Sequence, residues 1–249
     1  MFNFSIKYDD LIWGDKFKDI EKTKFLKIDD AFSFIKINSS DVNIVTHNGD
    51  IPVDEKFVNY SHKFPKWYGQ NVTCKSMKFN PIPIGLENDY VPNAINKKQT
   101  ILSLSNEKCY VEPSKLLYIN HNIGTNPIER QKPYGIFATS DWCTVEHSGG
   151  YIYQDNYYAK MLNHAFMLSP PGNGIDCHRT WEILYLKRIP ILKRSGRLED
   201  LYSDLPVLFI NEYDEISESF LSLKINEMKN KSYNFEKLKF GYWRQEVQK

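Results

Sequence analysis

The run SPPGNGIDCHRTWE, Ser169 to Glu182, separates two segments of different period. Before it, His164-Ala165-Phe166-Met167-Leu168 is a short apolar run ending at a turn, which reads as a buried strand. From Arg179 to Leu186 the apolar residues take the spacing of an amphipathic helix. Between the two, Pro-Pro-Gly-Asn-Gly is turn chemistry. A strand that enters a glycine turn and leaves as a helix presents unpaired backbone N–H groups at the positive end of the helix dipole. Phosphate is the usual occupant of such a place. Ser169, Pro171, Gly172, Asn173 and Gly174 make the turn, and its glycines allow backbone to approach an anion closely. Asp176, His178, Arg179 and Thr180 add polar groups at the same point. The expectation is an α/β protein that binds a phosphorylated ligand at a strand-to-helix junction.

Strands and helices alternate on either side of this junction. Val42–Thr46, Ile82–Leu86, Leu116–Asn120 and Val207–Ile210 read as strands. Phe64–Val72, a segment starting at Pro127 and running to Phe137, Ile216–Met228 and the tail from Asn234 to Lys249 read as helices. Leu26–Ile37 fits neither period, and Ala94–Lys108 is loop with weak strand or helix character. Alternation of this kind predicts parallel sheets with ligands at the strand carboxyl ends. A chain of 249 residues has room for two small α/β domains facing a cleft. The polar stretch Asn106–Ser114, interrupted by Pro113, predicts the boundary. The expected units are α/β domains over 1–110 and 111–234, followed by a helix over 235–249.

Basic and acidic residues number 32 and 31, a net charge of +1, which argues against a broad electrostatic grip on nucleic acid or anionic membrane. No stretch approaches the ~20 apolar residues of a membrane span. The first ten residues lack the basic start and apolar middle of a signal peptide. Cys74, Cys109, Cys143 and Cys177 are widely spaced with no CxxC pair, and read as reduced thiols rather than disulfides or zinc ligands. A cytoplasmic protein without a membrane span is expected.

The Ser169–Glu182 block, followed by Ile189-Pro190-Ile191-Leu192 and Leu201-Tyr202-Ser203-Asp204-Leu205-Pro206-Val207-Leu208, closely resembles the nucleotide-sugar-binding half of exostosin-like glycosyltransferases, family 47 and its relatives. The resemblance continues in Lys115–Asn120 with Thr125-Asn126-Pro127 and Glu129-Arg130, and in Ile82–Asn88. It touches roughly the last two thirds of the chain and is strongest in the glycine-turn block; the first forty residues match nothing. It implies a GT-B fold of two Rossmann-like domains, 1–110 on the acceptor side and 111–234 binding the nucleotide sugar, with the 235–249 helix packing back on the first. It also implies a sugar transfer from a nucleotide-sugar donor, most of all a uridine diphosphate (UDP) sugar, to a glycan acceptor. Most animal and plant members are anchored in the Golgi, so a chain without their anchor implies a bacterial or viral relative, in the host cytoplasm if viral, or a trimmed piece of a longer protein.

The same resemblance implies roles. Glu182, one turn into the helix, would accept hydrogen bonds from the ribose hydroxyls, a task suited to an acceptor-only carboxylate. Arg179 and His178 at the helix start oppose the dipole unless an anion is present, which makes them candidate diphosphate ligands. Asn173, Asp176 and Thr180 are read as bonding the diphosphate, the sugar or the turn itself, with Asp176 alternatively a helix cap. Asn120, Thr125 and Arg130 either face the diphosphate or cap the helix at Pro127. Asp141-Trp142 is either a nucleobase pocket or core. An inverting transfer needs a base for the acceptor hydroxyl; Asp50 and His47, then Glu87, are the candidates, against a plain turn at Gly49-Asp50. No Asp-x-Asp follows an apolar strand and no zinc spacing occurs, so neither a metal nor another cofactor is expected. A non-catalytic sugar-nucleotide or glycan-binding module is the alternative. A kinase would need the missing P-loop GxxxxGK[ST], and a phosphatase is the remaining reading.

Overall fold

The computed structural model describes residues 2–107, 112–147 and 154–249. The first half carries β1 (Thr23–Lys27), α1 (Ile28–Ile37), β2 (Asn43–His47), β3 (Trp67–Gly69), β4 (Phe79–Pro81) and α2 (Ala94–Glu107). The second carries β5 (Lys115–Ile119), α3 (Pro127–Phe137), β6 (Cys143–Val145), α4 (Gln154–Leu162), β7 (His164–Leu168), α5 (His178–Tyr185) and β8 (Ile189–Lys193). Then follow α6 (Leu198–Leu201), β9 (Leu208–Ile210), α7 (Glu218–Lys229) and α8 (Phe240–Gln248). Among the described residues two sheets form, in the orders β1-β2-β3-β4 and β6-β5-β7-β8-β9, and every pairing is parallel. No described helix is long and apolar enough to cross a membrane.

β7 lies between β5 and β8 with all five residues buried, as its unbroken apolar sequence requires of a strand covered on both faces. β5 and β7 are neighbours although β6 intervenes in the chain, because the sheet grows first to one side of β5 and then to the other. Such a reversal leaves a crevice at the carboxyl ends of the two central strands. The segments after β5 and β7 bring Arg130, on α3, and the glycine turn to it.

One apolar cluster joins both sheets. It holds Leu11, Ile12 and Phe17 of the N-terminal segment, Val45 of β2, Trp181 of α5 and Val247 of α8. The Tyr185 hydroxyl pins it, accepting from the Ile12 N–H and donating to the Leu238 carbonyl, each at 3.0 Å. α8 lies against the first sheet: Asn43 Nδ2 donates to the Val247 carbonyl at 2.8 Å and the Tyr68 hydroxyl to that of Glu246 at 2.7 Å. In the other direction α2, which precedes the second sheet in the chain, packs on α4 and α5. The 108–111 part of the expected boundary lies outside the described residues.

Four local expectations differ from the fold. Phe64–Val72 is not a helix: its centre is β3, and the Trp67 ring is buried among Phe57, Phe64 and Phe79, all edge-on at 5.2–5.7 Å. A short strand of aromatic β-formers leaves too little sequence for a period to register. Ile82–Leu86 is not a strand: Pro83 has no N–H to give, and Gly85 sits at φ +67°, where a Cβ would lie 2.3 Å from the Ile12 carbonyl oxygen. Ala94–Glu107 is helical throughout, although its apolar residues mark no clear stripe. The tail is broken into a tight turn, Phe235–Leu238, and α8.

Candidate functional site

A cavity of about 610 Å³ opens at the carboxyl ends of the strands of both sheets. Asp50 reaches it from the loop after β2, Ile84 and Glu87 from the segment after β4, and Thr125 and Arg130 from beyond β5. Residues 172–174, 176 and 177 of the turn, and His178, Arg179 and Glu182 of α5, form the facing wall. Lys97 of α2 and Tyr157 and Tyr158 of α4 close it. A side cavity of about 210 Å³ shares Asp50, Ile84 and His178 with it.

The glycine turn is shaped by the chain's own groups. The Gly172 N–H donates to the Gly174 carbonyl at 3.0 Å. A Cβ on Gly174 would come 2.3 Å from Asn71 Nδ2, and one on Gly172 2.9 Å from an Arg130 nitrogen. Close approach therefore does explain the glycines, but what approaches is Asn71 and Arg130. Asp176 does not cap the helix; Cys177 holds that position without a side-chain bond. The Asp176 carboxylate is buried and accepts from the Ile84 N–H at 2.8 Å, from Trp181 Nε1 at 3.2 Å and from the Tyr202 hydroxyl. Burial pushes its pKa up against the pull of these donors. It thus ties the turn to the segment that follows β4. Ser169 and Thr180 are both buried and bond each other at 2.9 Å, Pro171 gives its carbonyl to Arg130 Nε at 3.0 Å, and Asn120 donates to the Tyr118 hydroxyl at 2.8 Å. These four support the site from behind and lie off the cavity wall.

The charged groups gather on the wall. Arg130 donates to the carbonyls of Pro171 and Asn122, both at 3.0 Å, and Arg179 Nε to the Tyr157 hydroxyl at 3.0 Å. Among the described residues neither guanidinium has a carboxylate oxygen within the 4.0 Å of an ion pair. Burial opposes the Arg179 charge, yet the Tyr157 hydroxyl and the Glu182 carboxylate hold its pKa above the ordinary value. Glu182 lies further down α5 and accepts from the Tyr158 hydroxyl at 3.0 Å. Burial raises its pKa, with Lys97 and Arg179 pulling the other way. The His178 ring gives Nδ1 to the Gly85 carbonyl at 2.7 Å, which turns Nε2 away from that bond. The buried His121, beside both arginines, has its pKa driven down to about 3, first by desolvation and then by their charge.

Compared with known proteins, the chain matches no family model and no curated protein.

Across the cleft, Asp50 Oδ2 accepts from Asn173 Nδ2 at 3.0 Å, joining the loop after β2 to the turn. His47 is not available as a base. Its ring is buried, stacked on Phe17 at 5.3 Å, with Nε2 on the Pro83 carbonyl at 2.9 Å and Nδ1 accepting from the Asn48 N–H at 2.7 Å; burial lowers its pKa to about 4. Glu87 is paired with Lys97 at 2.7 Å on the wall. Trp142 packs edge-on against Phe137 at 5.9 Å, and neither it nor Asp141 lines the cavity. Among the described residues no group of three or more His, Cys, Asp or Glu side chains is arranged to hold a metal ion. Lys97, Tyr157 and Tyr158 also line the cavity without any mark in the sequence, because they come from helices whose patterns carry no chemical motif.

Proposed function

We propose that the chain is a glycosyltransferase of GT-B type that moves a sugar from a nucleotide-sugar donor, a UDP sugar, to a glycan hydroxyl, with inversion and without a required metal. One observation carries this reading. Two arginines without carboxylate partners and the open end of α5 converge on one cavity at the crevice of the second sheet, with Glu182 one turn deeper. That arrangement suits a diphosphate at Arg130 and Arg179 and a ribose at Glu182. The resemblance of the glycine-turn block to exostosin-like enzymes supplies the donor class.

Asp50 is the base in this reading, since it faces both cavities. The acceptor oxygen attacks the anomeric carbon while its proton passes to the Asp50 carboxylate. The bond from that carbon to the diphosphate oxygen breaks, and its electron pair leaves with the nucleotide. Fixed positive groups aimed at the departing oxygen stabilise the charge that develops there.

The test is release of free UDP from the UDP sugars of glucose, galactose, N-acetylglucosamine, glucuronate and xylose, without acceptor and with EDTA present. At least one should leak slowly. Binding without any release would make the chain a non-catalytic sugar-nucleotide module; neither binding nor release would overturn the reading. Loss of release on metal stripping, restored by manganese, would overturn the metal-free chemistry.

A further inference from the structure

We propose that the side cavity of about 210 Å³ is a binding site for an uncharged sugar ring, the acceptor terminus, which excludes acidic sugars. This rests on the function proposed above.

The wall chemistry argues for it. Three carboxamides, Asn48, Gln70 and Asn88, line the cavity, and Tyr90 stands at it with 71% of its surface exposed. A carboxamide has donors and an acceptor side by side, which matches neighbouring hydroxyls of a sugar. The amides are locked in place. Gln70 is 3% exposed, accepts from the Asn48 N–H at 3.1 Å and donates to the Gly49 carbonyl at 3.1 Å. Asn48 Nδ2 donates to Asp15 at 2.7 Å, and Asn88 Nδ2 to Asn48 Oδ1 at 3.2 Å and the Tyr90 hydroxyl at 3.3 Å. Asn48 Nδ2 and Gln70 Nε2 each keep a second N–H without a partner among the described residues. The backbone is built around this network too. Asn48 sits at φ +58°, and a Cβ on Gly14 would fall 1.9 Å from Asn48 Oδ1, so only glycine fits there.

Charge then selects. No lysine or arginine lines the side cavity, and Asp50 stands where it joins the main one. A uronate or sialate ring placed here would find no lysine or arginine and would meet a carboxylate, while a neutral ring keeps the hydrogen bonds and gains the Tyr90 face. Cations lie in the main cavity instead, which leaves that space to the donor.

Saturation-transfer NMR on the intact chain with saturating UDP tests this with methyl β-glycosides of glucose, galactose and xylose against methyl β-glucuronide. At least one neutral glycoside should bind and the glucuronide should not. Tyr90→Ala, an exposed position, should weaken the neutral glycoside by at least about fivefold. The UDP-induced rise in melting temperature should be unaltered in that variant. Binding of the glucuronide as tight as the neutral glycosides, indifference to Tyr90→Ala, no binding of any glycoside, or displacement by free uridine would each overturn the proposal. An absent UDP shift in the unmutated protein would instead sink the donor reading, so the two failures are distinguishable.

Discussion

Arg130 and Arg179 differ in what holds them, and this separates binding from stability at single residues. Arg130 is braced by backbone carbonyls of two loops, whereas Arg179 gives one nitrogen to Tyr157. Charged hydrogen bonds are worth about 1.5–3 kcal/mol, and 1.4 kcal/mol is tenfold in affinity. Arg179→Gln should weaken UDP by at least about tenfold and leave the ligand-free melting temperature nearly unchanged. Arg130→Gln should lower both, because the carbonyls of Pro171 and Asn122 lose their donor. Melting curves with and without UDP check the contrast; a ligand-free Arg130→Gln that melts like the parent would show the brace to be idle. Asp50→Asn keeps the bond to Asn173 within reach but takes no proton. It should cut kcat by at least about a hundredfold while UDP affinity holds. Full turnover in Asp50→Asn would move the base elsewhere, with His178 Nε2 next in line on the same junction.

Between β7 and α5, the turn acts as one piece with the first sheet. Gly174→Ala would drive a Cβ against Asn71, whose Oδ1 accepts the Asp176 N–H at 3.0 Å. Overpacking of this kind costs about 1–3 kcal/mol. Gly135→Ala, in the open on α3, has nothing within 4 Å of the new methyl and should stabilise by about 0.5–1 kcal/mol. Urea unfolding of the two variants should therefore shift in opposite directions, and a neutral Gly174→Ala would contradict the assigned crowding. β7, the turn and α5 were legible because each keeps its period over enough residues and turn chemistry punctuates them. β3 was not, since three residues hold no period, and α2 was not, since it buries no clean stripe. The roles of Asn71 and Asp176 were hidden for a different reason. Asn71 and Asp176 meet across 105 residues of chain, and Asp50 and Asn173 across 123, so nothing local marks either contact. The same holds for His47, whose burial under Phe17 turns a candidate base into a packed ring.

The whole molecule is held by a core common to both sheets, and two of its buried histidines, His47 and His121, make it sensitive to acid. His47 and His121 have pKa values lowered from 6.5 to about 4 and about 3, desolvation being the larger cause in each. Below the ordinary histidine value the unfolded chain takes up these protons and the native chain does not, so stability falls as pH falls. For His47 the loss runs from about pH 6.5 down to about 4 and amounts to about 3 kcal/mol at about 1.4 kcal/mol per unit. His47→Gln should flatten the fall in urea midpoint between those pH values; an equally steep fall would mean the ring is protonated in the folded state. The proposed function turns on whether the cavity between the sheets binds the nucleotide diphosphate of a sugar donor. Calorimetric titration of UDP into the parent protein and into Glu182→Ala tests it most directly. Saturable binding to the parent at a single site is expected, weakened by at least about fivefold in the folded variant. No binding heat in the parent, or equal affinity in both proteins, would contradict it.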